Sequence, residues 1–170
     1  LLGADGLKAD IEIITMAVEA LSAFDDDFRL EIGHAGLFKA FADRLQVTAE
    51  TREQIRATIE TKNYAALGEQ LSLLEQSEAV KAIEHLPRLF GDVKALEEAE
   101  HYCQDSETQQ VLTYLKTLYH AISDLGYGNR IIVDLGLVQR NDYYSGVEFS
   151  AYVREYGAAR LVGGRYNELF

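Results

Sequence analysis

The stretch Ile131–Phe170, IIVDLGLVQRNDYYSGVEFSAYVREYGAARLVGGRYNELF, decides how the chain is read. Val, Ile, Tyr and Phe are concentrated in it, with Gly136, Gly146 and Gly157 as breaks, which is how consecutive strands of an antiparallel sheet are written. The pattern predicts a meander. Within it, Asp142-Tyr143-Tyr144-Ser145-Gly146 and Gly163-Gly164-Arg165-Tyr166 set tyrosine hydroxyls beside residues that allow close backbone approach, the ingredients of a small polar-ligand pocket. Tyrosines are common in sheets and Gly-Gly at turns, so either motif alone suits a plain sheet core equally well. Lying in adjacent predicted strands, the two together can converge on one pocket. Tyr143 and Tyr144 point to opposite faces by the period of two, so at most one of them faces it.

Upstream of this stretch, Ser106 with acidic Glu107 opens a long helix through Val111, Leu112, Leu115, Leu118, Ile122 and Leu125, stopped by Gly126 and Gly128. Its exit runs straight into Arg130-Ile131-Ile132-Val133-Asp134, an apolar run typical of a central strand. Near the start, Ile11, Ile14, Ala17, Val18 and Leu21 recur at helical spacing between Lys8 and Phe24, with Asp5 or Asp10 available to the N-terminus. After Asp25-Asp26-Asp27, the run Phe28-Arg29-Leu30-Glu31-Ile32 alternates as a half-buried strand does. It ends at Gly33-His34-Ala35-Gly36, read as a loop in which His34 is a hydrogen-bonded residue or a functional one. Leu1-Leu2-Gly3 reads as the tail of a strand.

From Leu37 to Asp105 the pattern is of short helices. Leu37, Phe38, Phe41 and Leu45 continue one helical face, Thr48 caps the next, and Asn63 caps a third carrying Leu67, Leu71 and Leu74. Pro87, the only proline, breaks the fourth near His85, and Gly91-Asp92 opens a fifth from Val93 to about Tyr102. Lying between a strand and the sheet-rich end, residues 37–105 read as an all-helical insertion in the domain formed by 1–36 and 106–170. The insertion holds eight Lys and Arg against thirteen acids, which is no basic grip for RNA.

Composition narrows the function classes. With 48% hydrophobic residues the 170-residue chain can bury a substantial core. No apolar run approaches the roughly 20 residues of a membrane span, and no signal-peptide pattern opens the chain, so a cytoplasmic location and no membrane partner are expected. A formal charge of −12 repels phosphate backbones and argues against nucleic acid as a partner. The one cysteine, Cys103, is read as structural. The four histidines, His34, His85, His101 and His120, are scattered in sequence, and no metal site or cofactor is expected. There is no phosphate-binding G-x-x-x-x-G-K loop, dinucleotide fingerprint, nucleophile elbow or H-E-x-x-H pair. Glu97-Glu98 and Asp25 to Asp27 read as solvated acids.

The two tyrosine motifs, D-Y-Y-S-G followed by G-G-R-Y, resemble the histidine-recognition motifs of histidyl-tRNA synthetases and of their paralogues, the regulatory subunits of ATP phosphoribosyltransferase. The order of elements over all 170 residues is similar as well. The resemblance implies an α+β fold, part of the antiparallel sheet of a class II aminoacyl-tRNA synthetase-like core with flanking helices and a helical insertion. It also implies that two family motifs lie before Leu1 and a third after Phe170. Three departures separate the branches. Synthetases carry an arginine three residues before the Asp of D-Y-Y, where it stabilises charge developing in histidine activation, and this chain has Gln139. Arg140 is one place later, on the opposite face of a strand. Gly33-His34-Ala35-Gly36 is similar to the I-G-H-x-G of regulatory subunits, and Asn167 follows G-G-R-Y where synthetases have Asp.

What the resemblance implies is therefore a non-catalytic regulator of histidine biosynthesis, homo-oligomeric when full length. It would assemble with the catalytic subunit of the short form of ATP phosphoribosyltransferase, for activation and for allosteric feedback by histidine. The alternative is a fragment of a histidyl-tRNA synthetase. In either case Tyr144, Tyr166, Gly163, Gly164 and Arg165 are the residues expected to border a histidine-like pocket. None of them is expected to be catalytic.

Overall fold

The structure is a computed structural model and describes residues 3–4, 6–24, 27–139, 144–153 and 159–167. Helix α1, Leu7–Ser22, buries Ile14, Ala17 and Val18 and is followed by strand β1, Phe28–His34. Helices α2 (Ala35–Ala42), α3 (Ala49–Glu60), α4 (Tyr64–Ser72) and α5 (Glu78–His85) come next, then strand β2, Phe90–Gly91, and helix α6, Val93–Ala99. Helix α7, Ser106–Ile122, leads through a π turn at Ser123–Tyr127 and a 3-10 turn at Gly128–Arg130 into β3, Ile131–Asp134. Strands β4, Val147–Val153, and β5, Ala159–Gly164, complete a five-stranded mixed sheet in the order β2-β3-β1-β4-β5.

The fold is α+β, as the sequence implies, but the pairing is not that of a meander. β1 inserts between β3 and β4, parallel to the first and antiparallel to the second. Parallel neighbours need a long crossover, which the helices between β1 and β3 supply. Among the described residues, only β4 and β5 of the expected meander pair with each other, with a register shift at Ala151/Tyr152. Being central, β1 is covered on both faces. Leu30 and Ile32 lie in the core, and Glu31 on the other face is itself buried rather than solvated as a half-buried strand would have it.

Local chemistry explains most of the helix boundaries. The Thr48 hydroxyl accepts from Thr51 N–H at 3.2 Å and the Asn63 side chain from Ala66 N–H at 3.2 Å, each satisfying a donor that the first helical turn leaves open. For α7 the cap is Asp105 rather than Ser106. Its Oδ1 accepts from Glu107 and Thr108 N–H, both at 3.1 Å. Gly126, at φ +93°, turns the chain after α7, a conformation that favours glycine.

Residues 37–105 are not wholly helical. Phe90–Gly91 pairs antiparallel with Asp134 and Val133 of β3, and Leu135 N–H donates to Leu89 O at 3.1 Å. Pro87 forces the 3-10 turn Leu86–Arg88 that aims this short edge strand. The buried faces of the segment, including Leu67, Leu71, Val80, Ile83 and Leu96, belong to the same apolar cluster as Leu30, Leu115 and Val133. No described helix is long and apolar enough to cross a membrane.

Candidate functional site

The two tyrosine motifs meet at the β4–β5 end of the sheet. Ser145 N–H donates to Arg165 O at 2.8 Å, Arg165 N–H donates to Val147 O at 2.8 Å, and Asn167 N–H donates to the Ser145 hydroxyl at 3.0 Å. These bonds continue the strand pairing past Gly164 and carry the Tyr144 and Tyr166 rings to a centroid separation of 6.4 Å. Tyr144, Gly163, Gly164, Arg165 and Tyr166 line one cavity of about 740 Å3, closed on its other side by Asp10, Ile13 and Ile14 of α1 and floored by Val147 and Phe149. The volume is within the range that small-molecule sites occupy.

The glycines also make room for neighbouring side chains. A β-carbon at Gly163 would lie 2.4 Å from Cζ of Phe149, and one at Gly164 would lie 2.6 Å from Cδ1 of Tyr144. Neighbouring aromatic rings fill that space, so on these sides the glycines admit protein side chains rather than a ligand. At Gly146 the stem of Arg165 does the same, with Cδ 2.7 Å from where a β-carbon would sit.

Arg165 is held in place. Its Nη2 lies 2.8 Å and its Nε 3.1 Å from Asp10 Oδ1, and Nη2 also donates to Gly6 O at 2.7 Å and to the Tyr114 hydroxyl at 3.4 Å. Tyr114 in turn donates to Asp10 Oδ2 at 2.5 Å. A charge-assisted network of this kind fixes a guanidinium far better than an exposed pair would. Asp10 and Tyr114 are additions to the residues expected at the site. Asp10 reads in sequence as a first-turn acid for α1, and only the fold brings α7 and β5 to it.

His34 is not in a loop. It ends β1 and caps α2, its Nδ1 accepting from Gly36 N–H at 3.1 Å, with its ring edge-on to Tyr114 at 6.2 Å. Burial, above all, lowers its pKa to about 4, with Arg165 acting in the same sense and Asp10 opposing. The imidazole is neutral at pH 7, as an accepting cap requires. Cys103 is buried, and burial raises its thiol to about 11, an unreactive state. Gln139 offers no charge. Its Nε2 donates to Phe149 O at 3.4 Å and its N–H to Glu148 Oε2 at 3.3 Å. Arg140, Asp142 and Tyr143 lie outside the described residues.

On the opposite face of the sheet are acids that the sequence reading passed over. The carboxyl of Asp134, 1% exposed, accepts from Lys62 Nζ at 2.9 Å and from Gly136 N–H at 2.8 Å. Glu31 stands beside this pair, and burial first, then the Asp134 charge, raises it to about 7 against the opposing pull of Lys62. Glu148, also 1% exposed, is raised by burial to about 8. A Glu set in the apolar strand Val147–Val153 was the signal for it, since no solvated face is available there. Among the described residues no group of three His, Cys, Asp or Glu is placed to hold a metal ion.

A sequence profile described as histidyl-tRNA synthetase matches residues 1–170. An ATP phosphoribosyltransferase regulatory subunit of Bacillus cereus strain AH187 is 39% identical over 173 residues, covering 99% of this chain and 41% of that protein. One from Bacillus thuringiensis subsp. konkukian is 40% identical over 172 residues, with the same coverage. The chain thus spans about two fifths of the length of these relatives. Among solved structures, an ATP phosphoribosyltransferase regulatory subunit/histidyl-tRNA synthetase from Bacillus halodurans C superposes with a TM-score of 0.89 at 29% identity, over 99% of this chain and 45% of that one. Histidyl-tRNA synthetase from Nostoc sp. PCC 7120 shares the fold at a TM-score of 0.76 and 18% identity, over 98% and 42% of the two chains. A profile match over every residue, joined to a shared class II synthetase-like fold, means that this chain belongs to the histidyl-tRNA synthetase family.

Proposed function

We propose that the chain is part of a non-catalytic regulatory subunit of ATP phosphoribosyltransferase, and that the cavity bordered by Tyr144, Tyr166, Gly163, Gly164 and Arg165 receives histidine. The observation that carries the proposal is the joining of the two tyrosine motifs around a single cavity, in a chain 39% identical to proteins of that name. Gln139 supports the regulatory branch, because a neutral amide engaged with the Phe149 carbonyl cannot stabilise the charge of an activation step. The partner is the catalytic subunit of the transferase. Histidine acts by binding one state of the assembly better than another, and a difference of roughly 1–3 kcal/mol suffices.

Calorimetric titration of the full-length protein with histidine, beside a Tyr144→Phe and Tyr166→Phe double variant, tests the site. Binding is expected in the first and weaker binding in the second, and equal binding by both removes these hydroxyls from the site. Histidine-dependent exchange of pyrophosphate into ATP by the same protein would make it a synthetase and overturn the regulatory reading. Co-purification with the transferase of the same organism tests the partner.

A further inference from the structure

Arg165 and Tyr166 are neighbours in the chain and part company in the fold. The Arg165 side chain, 15% exposed, turns to the two helices. Asp10 of α1, its side chain 11% exposed, takes Nη2 at 2.8 Å and Nε at 3.1 Å, and the same Nη2 donates to Gly6 O at 2.7 Å and to the Tyr114 hydroxyl of α7 at 3.4 Å. Tyr114 donates in turn to the other Asp10 oxygen. Tyr166 instead lies against Tyr144, at a ring separation of 6.4 Å. The Tyr144 ring itself rests on Gly164, the residue before Arg165, so closely that a β-carbon there would meet it at 2.6 Å. Residues 164–166 are thus the seat of both tyrosine rings, and the middle one of the three is gripped from α1 and α7.

What grips the middle residue also sets its neighbours. The main chain of Arg165 is bonded to the DYYSG motif in both directions, its N–H to Val147 O and its carbonyl to Ser145 N–H, each at 2.8 Å, and Gly146 leaves room for its stem. Among the described residues β5 is an edge strand, paired on one side only, with β4. Ladder bonds to a single neighbour fix its register, but they resist lifting of the strand end out of the sheet far less than they resist sliding. The pull of Asp10 and Tyr114 runs from the sheet toward the helices and opposes that lift, and a charge-assisted, partly buried pair is strong enough to do so. We infer that Asp10 and Tyr114 are positioning residues for the tyrosine pair. By holding Arg165 against α1 and α7 they fix the strand end on which Tyr144 and Tyr166 sit, and, where that pair receives histidine as proposed above, they set its affinity. Arg165, its charge answered by Asp10, is the strut through which they act.

The full-length protein carrying 13C-labelled tyrosine rings tests this. Tyr114→Phe removes one hydroxyl and keeps the ring beside His34, while Asp10→Asn removes the charge and keeps the shape. In both variants, with no ligand added, the ring signals of Tyr144 and Tyr166 are expected to shift and the cross-relaxation between the two rings to weaken, the signals being assigned by their loss in Tyr144→Phe and Tyr166→Phe. Calorimetry on the same proteins should show histidine binding weakened roughly tenfold by Asp10→Asn and less by Tyr114→Phe, as the loss of a charged and of a neutral partner implies. Ile83→Val, a core change in α5 outside the network, lowers stability and should move neither reading, which separates positioning from a general loosening of the fold. Should Asp10→Asn not fold, Tyr114→Phe decides alone. A parent that does not bind histidine overturns the histidine reading and leaves the ring signals to decide the positioning. Rings that stay in place in the folded variants, or rings that move while histidine binds as tightly as to the parent, overturn the inference.

Discussion

The ring of Phe149 lies over Gly163 so closely that a β-carbon there would sit 2.4 Å from Cζ, and the two residues are register partners across β4 and β5. The pairing sets the floor of the cavity that the two motifs share. Gly163→Ala should therefore destabilise the protein by roughly 1–3 kcal/mol through overpacking against a ring that is itself held in the core. Adding Phe149→Leu should recover part of the loss. Chemical denaturation of the full-length single and double variants measures both, and a neutral Gly163→Ala would mean that the ring moves aside without cost.

Gly68 is the contrasting case. It lies inside α4 and a β-carbon there would meet nothing within 4 Å. Gly68→Ala should stabilise by roughly 0.5–1 kcal/mol, since alanine loses less backbone entropy on entering a helix. A rise in melting temperature checks it, and a fall would place an unseen neighbour at that surface.

Glu148 makes stability depend on pH in an unusual direction. Its folded pKa of about 8 exceeds the carboxylate value of an unfolded chain, so the folded state holds the proton more tightly. That contribution is complete below the unfolded pKa of about 4.5 and is lost as pH rises toward 8. Glu148→Gln removes the dependence. Relative to the parent it should gain on the order of a few kcal/mol between pH 5 and pH 8. Denaturation midpoints of both proteins across that range decide the matter, and parallel pH profiles would show that Glu148 is already ionised in the fold.

His34 works in the opposite sense. Its folded pKa of about 4 lies below the ordinary 6.5, so the unfolded chain binds the extra proton. Stability from this group is present above about 6.5 and is lost as pH falls toward 4. His34→Asn keeps an accepting cap that cannot titrate. The variant should hold its stability in the acid window better than the parent, measured as the difference between their pH profiles. An unchanged difference would mean that the ring is solvated.

Lys62 stands at φ 54°, a left-handed conformation for a residue other than glycine, with Nζ 2.9 Å from Asp134. Lys62→Ala removes the cation from a buried carboxylate that keeps the Gly136 N–H and has the Glu31 carboxyl beside it, and should cost roughly 1–2 kcal/mol, discounted because the lysine is itself half exposed. Lys62→Gly should cost less, since the backbone conformation is relieved. Thermal melts of the two variants separate the charge effect from the backbone one.

The sequence by itself determined the helices and the site's neighbourhood. The caps Thr48 and Asn63, the apolar stripe of α1 and the joined tyrosine motifs all rest on interactions within a few residues or on a hairpin-like pair of strands, where local pattern and structure share a cause. Tertiary structure alone decided that β1 enters between β3 and β4, that Phe90–Gly91 becomes an edge strand, and that Asp10 and Tyr114 reach Arg165. These contacts span scores of residues, and which partner wins depends on the whole packed core rather than on any one segment. The alternation in Phe28–Ile32 told that one face is polar, but not that this face is covered. Only the fold over β1 and β4 turns Glu31 and Glu148 from surface acids into buried ones with raised pKa values, because desolvation is a property of what packs on a strand and not of the strand itself.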